Sequence, residues 1–410
     1  MVNFKVDTDT QEIIRSLFKF IDKEILPLEE ENKKLFEQRN YYLENGRISD
    51  AALELKRKVR TRSSELGFYN MFGPEELGGS GLGAQTALFV SEAIAHRYGP
   101  NHELIEKEII PSSFTNGVSP VLKGLKQEYQ DKYLPGIISG EKTLCFALTE
   151  PDAGSDVWNL QTKAEKDGEY WVLNGTKQWI TNAPYADYAL VFAITDPELK
   201  AARKGGITAF FIETNTPGFE VTSIIPIMGN LGGIHGIISL ENIRVHESQI
   251  IGDLHDGFKR ALGGISAGRL TLAGRCCGIA QWALDKAISY SKERISMNRK
   301  LNEHQMIQQH LAECALDIYT NKNAAINCAW QVDEGRTPVK EIAMIKWGCT
   351  EMVNRVVDKA IQIHGGMGVS NELELEEAYR MIRPMRIFDG TSEIHKRTVA
   401  RQLVIGNTAF

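Results

Sequence analysis

The sequence is short of cysteine, of long apolar runs and of basic excess, and each shortage removes a class of protein. Six cysteines stand in 410 residues (Cys145, Cys276, Cys277, Cys314, Cys328 and Cys349), with no Cys-x-x-Cys among them and no histidine-rich neighbour at ligand spacing. That speaks against a zinc site, or any metal centre, and against a disulfide framework; reduced thiols in a cytoplasm are the default. Cys314, Cys328 and Cys349 fall inside helical patterns, where a thiol packs as a small apolar group. No apolar run approaches the length of a membrane-spanning helix. The N-terminal stretch Met1-Val2-Asn3-Phe4-Lys5-Val6-Asp7 carries an acid early and has neither a signal core nor an Arg-rich transit character. The chain therefore reads as soluble and cytoplasmic. Acidic residues (53) outnumber basic ones (47), giving a net charge of −6, so no basic surplus exists to neutralise a phosphate backbone and nucleic acid is not an expected partner. Internal repeats and low-complexity segments are also absent.

What is there is a chain long enough for two or three domains, and its texture changes twice. Apolar residues recur at helical spacing over 8–26, where Ile13, Ile14, Leu17, Phe18, Ile21 and Ile25 precede Pro27, and again over 50–66. Further helices are expected at 84–97, 118–124 and 127–138, with a charged, solvated stretch over 30–45 and a glycine-rich surface loop at 74–81. From Cys145 to about residue 251 short β-branched and aromatic runs replace them: 169–173, 188–193, 208–212 and 236–240. Asn174-Gly175 between two such runs is a hairpin signal. From Gly257 long helical patterns return over 258–294, 304–332, 338–363 and 391–405, with short breaks that suggest an antiparallel bundle. The fold class is thus a multidomain α+β chain: an N-terminal helical domain (1–144), a central β-barrel-like or sandwich domain (145–256) and a C-terminal four-helix bundle (257–410).

The most informative stretch is Arg386-Ile387-Phe388-Asp389-Gly390-Thr391-Ser392-Glu393-Ile394. It presents a carboxylate on a turn, lets a backbone or ligand come close at the glycine, and then opens a helix with good capping residues. Read alone, it is either an ordinary capped helix start or a phosphate- or substrate-facing turn. Three other stretches accompany it: Leu148-Thr149-Glu150-Pro151-Asp152-Ala153-Gly154-Ser155-Asp156, Lys177-Gln178-Trp179-Ile180-Thr181-Asn182, and Gln362-Ile363-His364-Gly365-Gly366-Met367-Gly368. Together and in this order they resemble the acyl-CoA dehydrogenase family of FAD-dependent flavoproteins over nearly the whole chain, in a branch with aspartate at the base position.

The resemblance implies the same α–β–α layout, with FAD between the β-domain and the bundle. It implies that Thr149 meets the flavin ring edge near N5, that Ser155 holds the flavin pyrophosphate or lines the path of CoA, and that Trp179 and Thr181 flank the ring. Without it, the 148–156 loop is equally a solvated loop, and a strand tryptophan such as Trp179 is more often a core residue than a cofactor wall. The basic cluster around Arg294 is either a solvated helix end that complements the dipole or, by the resemblance, part of a cofactor site. In that reading Arg294 and Ser296 reach the FAD of a neighbouring subunit, and Gln362 and Gly366 complete the site. Met297-Asn298 stands where the family carries Phe-Gly, and His235 stands where it commonly carries an arginine pattern near the CoA surface. Thr391 and Glu393 would contact the cofactor, while Arg269 and Gly390 line the substrate.

An α,β-dehydrogenation needs a base at Cα of the thioester and a hydride acceptor at Cβ. Most family members carry a glutamate in the Gly-Thr turn, and some carry it on the first bundle helix before an arginine. Here that helix position is Gly268, before Arg269, so Asp389 is the carboxylate at the base position. The resemblance implies that Asp389 takes the pro-R α-proton as the β-hydrogen leaves to flavin N5, that the thioester carbonyl meets the Asp389 N–H and a ribityl hydroxyl, and that a trans-2-enoyl-CoA forms. Electrons would pass to an electron-transferring flavoprotein, and the chain would be a homo-oligomer, a tetramer in the first instance. Two rivals are weighed against this: a flavin oxidase or monooxygenase of the same fold, such as a nitroalkane oxidase, and a non-catalytic flavoprotein that binds a macromolecule.

Overall fold

A computed structural model describes residues 5–112 and 115–409. In chain order its main elements are helices α1 (Thr8–Phe20), α2 (Asp50–Glu65), α3 (Ala84–Tyr98) and α4 (Gln127–Ile138). Strands β1 (Leu144–Ala147), β2 (Lys163–Asp167), β3 (Tyr170–Thr181), β4 (Tyr188–Ile194), β5 (Ile207–Glu213), β6 (Phe219–Ile224) and β7 (His235–His246) follow. The long helix α5 (Gly257–Glu293) leads to the small hairpin β8 (Ile295–Ser296) and β9 (Arg299–Lys300). After it come α6 (Gln305–Asp333), α7 (Val339–His364), α8 (Leu375–Ile382) and α9 (Ser392–Val404). Backbone contacts divide the chain into two compact units: Met1–Asp22, Gly83–His102 and Ser266–Phe410 form one, and Lys23–Leu82 with Glu103–Ile265 the other.

The first unit is helical. Its core joins Leu88 and Phe89 of α3, Ala273, Cys276, Ile279 and Ala283 of α5, Cys314 and Ala325 of α6, Val353 and Val357 of α7, and Leu375 and Ile382 of α8. Caps set the element ends. Asp7 accepts from Thr10 N at the start of α1, Asp333 accepts from Ala84 N and Gln85 N at the start of α3, and Thr391 accepts from Ile394 N at the start of α9. Each satisfies an otherwise orphaned helix N–H. Helix α8 and the 3-10 turns Gly365–Val369 and Arg383–Arg386 were not foreseen. They are too short to carry a recognisable period and exist because the bundle packs them.

The second unit holds the sheet, in the order β1-β4-β2-β3-β7-β6 with β5 on the other side of β4. Strand β4 alternates between two cores, Ala189, Val191 and Ala193 on one face and Leu190, Phe192 and Ile194 on the other. It is therefore buried on both sides, which explains its unbroken apolar run. Inner residues of β3, β4, β5 and β7 share one cluster, so the sheet curls on itself, while α4 covers the outer face.

Two expectations change. Asn174-Gly175 is not a hairpin turn: β3 runs through it, Asn174 opposite Lys163 and Gly175 opposite Leu240, with a register shift between Leu173 and Gly175. The glycine is needed for close approach, since a Cβ there would sit 2.4 Å from Thr162 Oγ1. The turn between β2 and β3 falls instead at Gly168, whose φ is +61°. The helix expected over 118–124 is a 3-10 turn, Pro120–Gly124.

Candidate active site

In the β-unit the 148–156 loop is pinned against β3. Thr149 O accepts from Gln178 N at 2.9 Å. Beneath it lies a buried ion pair: Lys177 Nζ is 2.7 Å from Glu150 Oε1 and also donates to Phe192 O at 2.6 Å and Leu148 O at 3.3 Å. Glu150 in turn accepts from the backbone of Gln161 at 2.5 Å and of Thr162 at 3.1 Å. Burial pulls the Lys177 ammonium down to about 8 against the pull of Glu150. Burial pushes the Glu150 carboxyl up, but Lys177 and the hydrogen bonds outweigh it and hold the group below its ordinary value.

This fixed base carries an irregular stretch. Strand β3 slips register against β7 between Lys177 and Ile180, and within the slip Trp179 takes φ +61° and stays 50% exposed. A tryptophan held left-handed and half in solvent is not a core residue, and such backbone strain persists only where the surroundings impose it. Two residues on, Thr181 Oγ1 lies 3.1 Å from His235 Nδ1. Burial, reinforced by Lys107, pushes that imidazole down to about 4, so it is neutral at physiological pH. Thr149, Trp179, Thr181 and His235 are thus gathered at one end of the sheet. Ser155 is exposed on the same loop, beside Asp156, which with Trp158, Lys163, Lys166, Lys200 and Arg203 lines an open groove of about 730 Å³.

In the helical unit Asp389 sits on a turn with φ +55°, followed by Gly390 at φ +95°. A Cβ on Gly390 would meet His395 Nε2 at 2.9 Å. The carbonyl of Asp389 accepts from Arg269 Nη2 at 3.0 Å and Nε at 3.2 Å, and His395 Nε2 stands 3.2 Å from the same oxygen. Lys346 Nζ donates to Met385 O at 2.8 Å and to Gly390 O at 2.6 Å. Among the described residues the Asp389 carboxylate and its own backbone N–H make no hydrogen bond. Burial raises this half-buried carboxyl above its ordinary value, and Lys346 and Arg269 oppose the rise. Thr391 is the cap of α9, and Glu393 is exposed in its first turn.

Arg294, Ser296, Gln362 and Gly366 lie elsewhere. The Tyr290 ring stacks on His364 at 4.5 Å, which sets the C-terminal ends of α5 and α7 side by side and brings these four residues to one end of the bundle. Arg294 and Gln362 are exposed, and a Cβ on Gly365 or Gly366 would meet nothing within 4 Å. Met297 and Asn298 both take left-handed φ, +51° and +62°. They make the tight turn of the β8–β9 hairpin and leave Met297 85% exposed. Lys346, at the Asp389 turn, and His364, at this end, are eighteen residues apart on α7, roughly 27 Å along the axis. The unit therefore presents two separate surfaces.

Sequence reasoning missed the residues that hold the 148–156 loop, Glu150 and Lys177, and two that hold the Asp389 turn, Lys346 and His395. A signal was present. Lys177 occupies an inward position of β3, and Lys346 falls on the apolar stripe Ile342, Cys349, Val353 of α7. A lysine on a buried face must find polar partners.

Three domain descriptions of one family match the chain in series: acyl-CoA dehydrogenase, N-terminal domain, over residues 7–141; middle domain, over 145–243; and C-terminal domain, over 255–404. The chain belongs to the acyl-CoA dehydrogenase family. It is an oxidoreductase and a flavoprotein. Among relatives, the 3-(aryl)acrylate reductase of Clostridium sporogenes is 34% identical over 97% of this chain and 99% of its own. The caffeyl-CoA reductase-Etf complex subunit CarC of Acetobacterium woodii is 34% identical over 86% of this chain and 90% of its own. A solved structure described as an FAD complex of PigA superimposes with a TM-score of 0.82 at 26% identity, covering 98% of this chain and 99% of that one. Among the described residues no helix is long and apolar enough to cross a membrane, and no group of side chains could hold a metal ion.

Proposed function

We propose that the chain interconverts an acyl-CoA thioester and its trans-2-enoyl-CoA, with Asp389 as the group that exchanges the α-proton and an electron-transferring flavoprotein as redox partner. The carrying observation is the Asp389 turn: a desolvated carboxylate that, among the described residues, has no hydrogen-bond partner, on a left-handed turn whose own N–H has none among them either. A free carboxylate in such surroundings can take a weakly acidic α-proton, and the free N–H can receive the thioester oxygen as charge develops on it. Aspartate is one methylene shorter than glutamate, so the turn or the substrate must supply the remaining reach.

The residues present fit FAD. Trp179 offers an exposed indole at a strained strand end beside Thr149 and Thr181, and the bare Gly365-Gly366 turn beside exposed Arg294 leaves room for a pyrophosphate. When bound, FAD supplies the hydride acceptor. Thr149, Ser155, Trp179 and Thr181 are the residues of the β-unit that would face the cofactor, and Thr391 and Glu393 are those of the helical unit. The roughly 27 Å between the Asp389 turn and the other surface supports Arg294, Ser296, Gln362 and Gly366 serving the cofactor of a second copy in a homo-oligomer.

The names of the two relatives favour a second reading of direction. Protonated Asp389 would return a proton to Cα, so the same turn serves reduction of an enoyl thioester conjugated to an aryl ring. Anaerobic mixing with a panel of acyl-CoAs, and of the dithionite-reduced protein with enoyl- and arylacrylyl-CoAs, reads both directions through flavin absorbance. Asp389→Asn is expected to keep FAD and ligand binding and to lose ~10²–10⁴-fold in rate in either direction. Bleaching by that variant at near the native rate would remove Asp389 from the role.

A further inference from the structure

We propose that Lys346 is a positioning residue of the reaction: its ammonium clamps the carbonyls of Met385 and Gly390 on either side of Asp389 and adds to Arg269 a second positive charge facing the base. The inference rests on Asp389 being that base. Lys346 lies outside the four motifs, forty-three residues before Asp389 and seven residues past the start of α7.

The geometry is specific. Lys346 is fully buried, a costly place for an ammonium unless its donors are used. Two of its three are used on backbone carbonyls, Met385 O before the turn and Gly390 O within it. They bracket Asp389, so the lysine closes the 385–390 segment into a loop. Arg269 from α5 holds the Asp389 carbonyl, and the His395 ring from α9 faces the same oxygen. Three side chains from three helices thus turn every carbonyl of the Asp389-Gly390 unit inward, and the carboxylate and N–H of Asp389 are what remains to face a ligand. Aspartate adopts the left-handed φ of Asp389 more readily than most residues with a side chain, and the clamp holds the turn in that conformation. The Phe388 ring lies 5.9 Å from Lys346 Nζ, covering the charge.

The electrostatic surroundings are mixed. Lys346 faces Asp389 from the turn, Cys276 and Arg269 from α5, and Glu351 from its own helix; burial lowers its ammonium to about 8, with Asp389 the largest opposing influence. Asp389 faces Lys346 and Arg269, both of which hold its carboxyl down against burial. His395 is pushed down to about 4, by burial first and then by Arg269 and Lys346, so it brings no charge near neutrality. Removing the Lys346 charge therefore raises the Asp389 carboxyl further, and the base becomes protonated at higher pH. A residue that only packed the helix would not move that titration.

The test is the rate of anaerobic flavin reduction by the best acyl-CoA between pH 5 and 9. It is run on the FAD-loaded native protein, Lys346→Met, Lys346→Gln, Lys346→Arg and Asp389→Asn, with flavin content and thermal unfolding measured alongside. Lys346→Met and Lys346→Gln are expected to shift the acid limb of the profile up by about one pH unit and to lower the plateau rate by ~10–100-fold, the effect of a misplaced reacting group. Lys346→Arg should keep the acid limb near the native position with a smaller loss of rate. An acid limb that stays in place in whichever uncharged variant folds with full flavin content overturns the proposal, as does a failure of arginine to restore it. The two readings separate cleanly: if Asp389→Asn is inactive while the Lys346 variants titrate as the native protein, only the role of Lys346 fails. If Asp389→Asn reacts normally, the base assignment fails first.

Discussion

Single side chains in this protein work because burial is set against a partner. His395 is the plainest case. It is buried against the Asp389 carbonyl, and its imidazole is pushed from 6.5 down to about 4. With the folded value below the unfolded one, the unfolded chain binds the extra proton between these pH values. The contribution of His395 is therefore complete above about pH 6.5 and is lost as pH falls towards 4. His235 is displaced in the same direction and adds to the loss. Replacing His395 by Gln, which can still donate to a carbonyl, is expected to flatten the fall of the melting temperature between pH 6.5 and 4.5. A variant whose melting temperature falls as steeply as the native one would show that other groups govern acid unfolding. The clamp on Asp389 belongs to this scale too: Arg269, expected to line the substrate, directs two donors to the Asp389 carbonyl.

At the scale of elements, the decisive feature is a joint between a loop and a strand. The Glu150–Lys177 pair ties the 148–156 loop to β3 and, through Phe192 O, to β4. Removing one partner strands the other as a buried charge. Lys177→Met is accordingly expected to destabilise the protein by ~3–5 kcal/mol, whereas adding Glu150→Gln recovers part of the loss. Chemical denaturation of the single and double variants measures this, and a double variant no better than the single one would show that the pair is not the source of the stability. The joint also explains why Trp179 can be held left-handed: Lys177 below the slip and Thr181–His235 above it anchor both ends of the irregular segment. A two-residue hairpin signal misled at Asn174-Gly175 because tertiary contact with Thr162, not local turn preference, requires the glycine there.

At the scale of the whole molecule, the two surfaces of the helical unit bear on assembly. If the Arg294 surface serves the flavin of a second copy, Arg294→Ala should weaken retention of FAD by ~10–100-fold, the worth of a charge-assisted hydrogen bond. It should leave the Asp389 turn intact. Flavin stoichiometry after gel filtration, together with molar mass by light scattering, reads both consequences. Unchanged flavin content and mass would remove Arg294 from the cofactor site.

The sequence by itself determined the α–β–α layout, because amphipathic helices of twelve residues or more and the alternating or doubly buried strands carry their period locally. The structure finds α4 at 127–138, as the period predicts, and α5, α6, α7 and α9 within a residue or two of it. Motif order likewise identified the family and singled out Asp389, since a carboxylate before Gly-Thr is visible in one short stretch. Only the tertiary structure decided what surrounds those motifs. Lys346 and Arg269 reach the Asp389 turn from two helices far from it in sequence, and Glu150 finds Lys177 across twenty-seven residues. The Lys346, Arg269 and Glu150–Lys177 contacts are set by packing at long range, and they decide the charge and hydrogen bonding around the Asp389 turn and the 148–156 loop.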